Sequence, residues 1–459
     1  MSNSGMRNMT EGSITRHLIL FALPMFAGSV LQQLYNVVDS WVVGNYVGDG
    51  ALAAVGACYP VTFLIIALFM GLSTGGTVVI SQNFGAGRMQ QVRDAIDSLY
   101  TAVIVAAIPV TVLFLLLADA ILALLRVEAS YYTEARIYLL IVSAGLISTV
   151  GYNANAGILQ GLGDSKTPLL FLSIAAVLNT VLDLISVLVL GMGVAGVALS
   201  TVIAQLVSWL FGIFYINRRY PELAVHPLRF RCKKQLLRDI LKIGLPAGLQ
   251  QATVAFGMIF CVAKINSFGE AYTASYNVGN KIDNFAWLAI QSLSIAVTSF
   301  VGQNVGAGKY ERVRKGIRTV ITLVLICCAL FMAIILPLRH EIVSFFSKNP
   351  ATIEAGGEYL WFVMWGYPML AVMFCLNNAM RGAGESVFPM VCTIFSMIVT
   401  RLPVIYYIAD HYGPHYMYLS YDIGWVFGFI AVLIYYFSGR WKHRGSMAAG
   451  NAPYSEEES

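Results

Sequence analysis

Apolar residues run through this chain in long blocks, separated by short polar stretches. The blocks fall near 18–44, 52–80, 95–117, 137–159, 169–190 and 194–216. A polar, basic stretch near 217–240 follows, then six more blocks near 243–266, 273–302, 316–336, 356–379, 388–409 and 416–438. Each is about 20–30 residues, enough to cross a ~30 Å hydrocarbon layer as an α-helix. The pattern predicts an all-α integral membrane protein with twelve transmembrane helices. Its expected parts are a leading segment 1–17, a six-helix bundle 18–216, a basic linker 217–240, a second six-helix bundle 241–438 and a tail 439–459. Within the tail, Tyr454–Ser459 is polar and acidic and reads as disordered.

The two bundles share one frame. Gln82-Asn83-Phe84-Gly85-Ala86-Gly87-Arg88 recurs as Gln303-Asn304-Val305-Gly306-Ala307-Gly308-Lys309, an offset of 221 residues (303 − 82). Gly161-Leu162-Gly163-Asp164-Ser165, with Pro168, recurs as Gly382-Ala383-Gly384-Glu385-Ser386, with Pro389, at the same offset. Leu23-Pro24 and Leu245-Pro246 lie 222 apart. Three matches in one frame point to a duplicated chain. Gly85, Gly87, Gly306 and Gly308 permit tight turns and close helix approach, so the first pair of loops reads as structural elbows, with a gate latch as the sharper alternative. Pro24 and Pro246 are expected to kink or start their helices. Lys309 is followed by Tyr310, and no G-x-x-x-x-G-K-[ST] occurs, which argues against a built-in ATP motor.

Composition agrees with the pattern. Hydrophobic residues make up 58% of the chain and charged ones 12%, with a mean hydropathy of +0.71. Soluble domains carry about 25% charged residues, so the solvent of this surface is lipid. The net charge of +5 does not call for nucleic acid, because lysine and arginine flank membrane helices on the cytoplasmic side. With the N-terminus inside, 22 of the 29 Lys and Arg fall in inner loops, which puts both termini in the cytoplasm. Six spans per half is an even number, so the halves are parallel repeats related by a pseudo-two-fold axis along the membrane normal. Seven scattered cysteines, without a C-x-x-C, imply neither disulfides nor a metal. His411 and His415 have the i, i+4 spacing of ligands, but Gly413-Pro414 between them argues against a helix and a metal site.

Ionisable groups inside spans are costly, so each is a functional candidate. Asp39 sits near the outer end of span 1. Asn179 and Asp183 share one face of span 5. At ~1.5 Å per residue, Asp183 lies ~10 Å below the outer end of its span, Thr201 of span 6 at a similar depth and Asp39 ~6–8 Å down. These four oxygen-bearing groups suit a hard monovalent cation or a shared proton, H⁺ or Na⁺. Two nearby carboxylates in low dielectric cannot both stay charged cheaply, so one of them is expected to carry a proton. Carried forward by 221 or 222, Asp39, Asn179 and Asp183 land on Cys261, Thr400 and Val404, so the ion site is expected in the N-terminal half alone.

Other polar positions carry less. Mid-span Arg401 and Asp422 of span 12 allow a structural ion pair, and Lys264 reads as snorkelling. Lys281 and Asp283, two apart, face different ways, with Asn277 and Asn284 beside them. Gln33, Asn36, Asn277, Lys281, Asn284, Met258 and Met369 are the candidates for a substrate cleft, since flexible methionines and polar groups can line a promiscuous cavity.

The paired Q-N-x-G-A-G-[RK] loops, the run Gln160–Pro168 and the two six-helix halves resemble the multidrug and toxic compound extrusion (MATE) transporters, over about residues 10–440. The resemblance implies two bundles around a central cleft, and export of amphipathic, mostly cationic drugs in exchange for H⁺ or Na⁺. Within the family the chain looks DinF-like: that branch's aspartate in span 1, Asn-x-x-x-Asp in span 5 and threonine in span 6 fall on Asp39, Asn179, Asp183 and Thr201. The NorM-type branch adds acids in spans 7 and 10; here span 7 has none and span 10 has none after Glu358.

The expected function is therefore a cation-coupled multidrug antiporter of a bacterial-type plasma membrane. Its expected partners are small drugs or dyes and the bilayer, with no nucleic acid and no cofactor, and it is expected to work as a monomer. A flippase for lipid-linked oligosaccharide or phospholipid is the alternative, kept by intramembrane Arg401, Lys264 and Lys281. No nucleophile–base constellation or metal motif supports an enzyme.

Overall fold

A computed structural model describes residues 5–227 and 229–445. The tail Tyr454–Ser459 lies outside the described residues. Among those described there are helices and no strand. The helices are α1 (Ile14–Val42), α2 (Asp49–Gly85), α3 (Met89–Leu124), α4 (Tyr132–Ala144), α5 (Leu146–Gly161), α6 (Lys166–Leu184), α7 (Gly193–Arg219), α8 (Lys234–Asn266), α9 (Glu270–Gly306) and α10 (Tyr310–Ile335). There follow α11 (Arg339–Phe346), α12 (Pro350–Gly382), α13 (Val387–Ile394), α14 (Leu402–Tyr412), α15 (Leu419–Phe437) and α16 (Arg440–Gly445). Regular structure enters the basic 217–240 stretch from both sides, as α7 runs to Arg219 and α8 starts at Lys234.

Eleven helical stretches are long and apolar enough to cross a membrane, and a bent pair raises the number to as many as twelve. That pair, α4 and α5, occupies the expected span at 137–159 and bends by 47°. Gly145 lies between its halves, in contact with the Val202 side chain of α7, where no Cβ would fit. The same frame carries Gly145 onto Gly366, yet α12 runs unbroken through Gly366.

The chain forms two compact units. One holds the residues through Asn8 together with Leu23–Gly248; the other holds Met9–Ala22 and everything from Leu249 on. Thus α1 and α8 each change unit part-way, within two residues of Pro24 and Pro246. Neither proline starts a helix, as both lie well inside one. Each removes one backbone donor from the helical ladder.

In the first unit α2 packs against α3, α4 and α5, and α7 against α4, α5 and α6. In the second, α9 packs on α10 and α12, and α12 also on α15. One bond records the duplication: Thr77 Oγ1 donates to Gly157 O at 2.9 Å, and Thr298 Oγ1 to Asn378 O at 3.1 Å.

Helices approach most closely where α2 meets the leading half of α8. Gly71 and Gly75 of α2 lie on the backbone of Gly244 and Gly248, and a Cβ at Gly71 would stand 2.5 Å from Gly244 O. Backbone cannot rotate away as a side chain can. Gly71→Ala is expected to cost about 1–3 kcal/mol, lowering the temperature at which the detergent-solubilised protein loses its monodisperse peak. Gly56→Ala in the same helix, with nothing within 4 Å, should leave that temperature unchanged or raise it. Equal behaviour of the two variants would refute the close-approach argument.

Candidate functional site

Asp39 lies near the end of α1, which passes directly into a π-helical turn, Val43–Val47. Asp183 is the penultimate residue of α6 and is followed by a second π-helical turn, Ile185–Val189. Such turns interrupt the regular ladder and are frequent at functional sites. The two carboxyl groups face each other within hydrogen-bonding reach. Asp183 and Asn179, one turn apart on α6, are buried with 0% and 1% exposure. Asn179 Nδ2 donates to Thr201 Oγ1 of α7 at 3.3 Å, and Thr201 Oγ1 donates to Val197 O at 3.1 Å. The structure thus brings Asp39, Asn179, Asp183 and Thr201 together within the first unit.

Two tyrosines that sequence reasoning missed complete the cluster. The Tyr35 hydroxyl bonds Thr201, and Tyr35 and Tyr138 both lie in electrostatic range of the two carboxyls. Tyr35 precedes Asp39 by four residues, a helical spacing that could have been read; Tyr138 comes from α4 and carries no such signal. Asp39 Oδ1, both Oδ atoms of Asp183 and Asn179 Oδ1 are buried without a hydrogen-bond partner among the described residues. The Ser200 hydroxyl of α7 is within hydrogen-bonding reach of Asp183, but the converging acceptor oxygens outnumber such donors, which fits a proton held between carboxyls, or a hard monovalent cation with oxygen ligands.

The cleft candidates do not gather in this way. In the first unit Gln33 is half-buried and Asn36 exposed, and neither side chain bonds the cluster among the described residues. In the second unit Asn277 and Lys281 are exposed, with Lys281 Nζ 5.9 Å from the Phe346 ring centroid. Asn284 Nδ2 donates to Asn280 O and Oδ1 of its own helix, at 2.9 and 2.8 Å. Met369 is half-buried, and Met258 Sδ lies 3.9 Å from Arg401 Nη2.

The expected Arg401–Asp422 ion pair is not formed: no salt bridge joins them among the described residues. The Arg401 guanidinium instead lies 3.2 Å over the Tyr421 ring. Neighbouring helix positions point about 100° apart, so Tyr421 rather than Asp422 meets it face-on. Lys264 does more than snorkel, as it pairs with Asp410. His415 bonds Glu358 at 2.8 Å while His411 stacks on Tyr407, so the two histidines do not converge.

Two segments, residues 24–185 and 246–407, match the family model described as MatE. The chain belongs to the MatE family. It is 29% identical over 435 residues to "Probable multidrug resistance protein YpnP" of Bacillus subtilis, covering 95% of this chain and 97% of that one. It is 21% identical to a "FAD transporter" of Shewanella oneidensis, covering 86% and 88%. A solved structure described as the outward-facing conformation of a multidrug resistance MATE family transporter superposes with a TM-score of 0.84 at 24% identity, covering 94% and 96%. MatE proteins are membrane transporters, and this chain is a transporter rather than an enzyme.

The two MatE segments carry the duplicated loops, whose geometry is now explicit. Gly87 (φ 72°) donates to Phe84 O at 3.0 Å while Arg88 N donates to Asn83 O at 2.9 Å. Gly308 (φ 71°) and Lys309 repeat this pattern on Val305 and Asn304. Left-handed glycines in this arrangement close helix C-termini; Gly85 and Gly306 are the last residues of α2 and α9. In the second pair of phrases the acid caps the next helix. Asp164 Oδ1 accepts from Lys166 N and Thr167 N at 3.0 and 3.1 Å, and Glu385 Oε1 from Val387 N and Phe388 N at the same distances.

The loop of the second unit also holds the segment ahead of α1. Met9 is fully buried, its N–H donates to Gln303 Oε1 at 2.8 Å, and its carbonyl accepts from Arg312 Nε and Nη2 at 3.1 and 3.0 Å. Arg312 Nη2 also reaches Glu11 O at 2.8 Å. Hydrogen bonds to a charged group contribute about 1.5–3 kcal/mol. Arg312→Ala is therefore expected to speed amide exchange around Met9–Glu11 roughly tenfold or more, whereas exposed Arg314→Ala should not. Unchanged exchange in Arg312→Ala would rule out this anchoring.

Proposed function

We propose that the protein is a cation-coupled antiporter that exports amphipathic, mostly cationic organic compounds by alternating access. The observation that carries this reading is the pair Asp39–Asp183, two carboxyls with buried oxygens that face each other. Among the described residues no basic group lies between them, and only the Ser200 hydroxyl is a side-chain donor within reach of Asp183. Hydrocarbon around such a pair favours uptake of a positive charge, as H⁺ or Na⁺, and Asn179, Thr201 and Tyr35 supply further oxygens. Binding and release of that charge alter the balance between two arrangements of α1, α6 and α7, and hence the affinity for substrate. The multidrug names of relatives support the substrate class. The excess of Lys and Arg in alternate loops supports termini on the cytoplasmic side of a bacterial-type plasma membrane. The protein acts as a monomer in this reading, with Asp39, Asn179, Asp183 and Thr201 all gathered within the first unit.

A substrate bearing phosphate, as a flippase or a flavin-nucleotide carrier would need, calls for converging cations. Lys264 is tied to Asp410, Lys281 lies over Phe346 and Arg401 over Tyr421, so the three basic side chains that could serve it are engaged separately. This arrangement favours the antiporter.

Dye efflux from proteoliposomes under separate pH and Na⁺ gradients tests the proposal. Asp39→Asn and Asp183→Asn should each lower gradient-driven efflux to the background of empty liposomes, with insertion intact. One gradient alone should drive the wild type, which identifies the ion. Full efflux by both variants would sink the assignment.

A further inference from the structure

The second unit contains charged groups that the coupling site does not use. The Asp283 carboxyl of α9 accepts hydrogen bonds from Tyr359 Oη at 3.3 Å and from Tyr367 Oη, both on α12. Arg401 is 5% exposed and lies in a π-helical turn, Phe395–Arg401, between α13 and α14. Its guanidinium reaches the sulfurs of Met397, Met258 and Cys261. Asp422 of α15 lies against the backbone of Gly366, where a Cβ would collide with its Oδ1, and that backbone is the one hydrogen-bonding neighbour its carboxyl has among the described residues. Both carboxyls are in electrostatic range of the Arg401 guanidinium.

The charges do not balance. Two carboxylates and one guanidinium leave one negative charge in a site walled by Tyr276, Tyr359, Tyr367, Tyr421 and Trp425. The remaining titratable neighbours are the thiols Cys261 and Cys328, which carry no positive charge. Nearby ionic groups are engaged elsewhere, Glu358 with His415 and Lys281 beside Phe346. The duplication frame adds an independent pointer: 221 residues on, Tyr138 of the first site becomes Tyr359, and Thr201 becomes Asp422.

We propose that Asp422 carries a second exchangeable proton, separate from the Asp39–Asp183 pair, with Asp283 held as the carboxylate that balances Arg401. Two phenols donate to Asp283, whereas Asp422 has only the backbone of Gly366 beside it and is the acid left to be neutralised by protonation. The step is Asp422–COOH ⇌ Asp422–COO⁻ + H⁺. A metal cation does not fit, because a guanidinium adjoins the carboxyl and the hydroxyls of Tyr359 and Tyr367 are engaged by Asp283 rather than free to act as ligands. This protonation does not rest on the transport reading.

Infrared difference spectroscopy of the full chain in lipid, stepped in pH, reads the C=O stretch of a protonated carboxyl. Above about pH 6 exposed carboxyls have ionised, so buried ones stand out. In an Asp39→Asn/Asp183→Asn background one titrating carboxyl band should remain. Asp422→Asn should remove it and Asp422→Glu should move it in frequency. Asp283→Asn should also remove it, because the single acid left then balances Arg401. Arg401→Gln should roughly double the band by leaving two acids without a counter-charge. A background with no titrating carboxyl, or a band indifferent to both Asp422→Asn and Asp283→Asn, would overturn the proposal. The two Asn variants test it independently, so misfolding of one leaves the other decisive. Absence of drug transport would leave this result untouched.

Discussion

A carboxylate in hydrocarbon needs a counter-charge, hydrogen-bond donors or a proton, and much of the polar architecture answers that requirement. Asp164 and Glu385 are satisfied by backbone N–H groups at the start of the following helix. Asp410 has Lys264 and Glu358 has His415. Asp283 has two phenols. Asp39 and Asp183 have each other, with the Ser200 hydroxyl beside Asp183, a shortfall that a proton or cation would make good under the proposed function. The acids thus divide into those whose oxygens the protein supplies with donors or counter-charges and the pair Asp39–Asp183, which chiefly face each other.

Duplication supplies the scaffold on which this division rests. The repeated phrases are helix endings: a left-handed glycine closes one helix and, in the second phrase, an acid opens the next. Such positions tolerate little change, because both the backbone conformation and the capped N–H groups depend on them. Buried faces between the caps are freer. The frame therefore keeps its glycines and prolines while a threonine in one half stands where the other half has Asp422.

The sequence made the helical blocks, the duplication and the four-residue polar cluster legible, for physical reasons. Blocks follow from burial in lipid, which demands long apolar helices. Asn179 and Asp183 follow from helical periodicity, and Asp39 and Thr201 from counting depth along each span. Pairwise geometry across helices was not legible. Arg401 and Asp422 lie at compatible depths, yet rotation about the helix axis decides contacts, and Tyr421 takes the guanidinium. The break at Gly145 was hidden because hydropathy continues through it, and because Gly366 in the matching place leaves α12 unbroken. The exchange of leading halves by α1 and α8 was foreshadowed only by Pro24 and Pro246, whose role a local rule could not give. Carrying only Asp39, Asn179 and Asp183 through the frame found no acid at the matching places, Cys261, Thr400 and Val404, whereas Thr201 leads to Asp422.

The proposed coupling accounts for why so few acids are left unsatisfied. An ion shifts a conformational equilibrium only by its difference in affinity for the two states. A carboxylate locked by backbone donors, as Asp164 is, binds no ion in either state and can shift nothing. A carboxylate whose oxygens have no fixed donor changes its charge with its surroundings, and so responds to any movement of its neighbours. Asp39 and Asp183 each adjoin a π-helical turn, and Arg401 closes a third. At those turns the ladder of backbone bonds is already interrupted, so a change of charge acts where the helix resists least. Under the proposed function, the groups that would exchange an ion and the interrupted turns of the helices therefore lie side by side in the chain, as coupling would require.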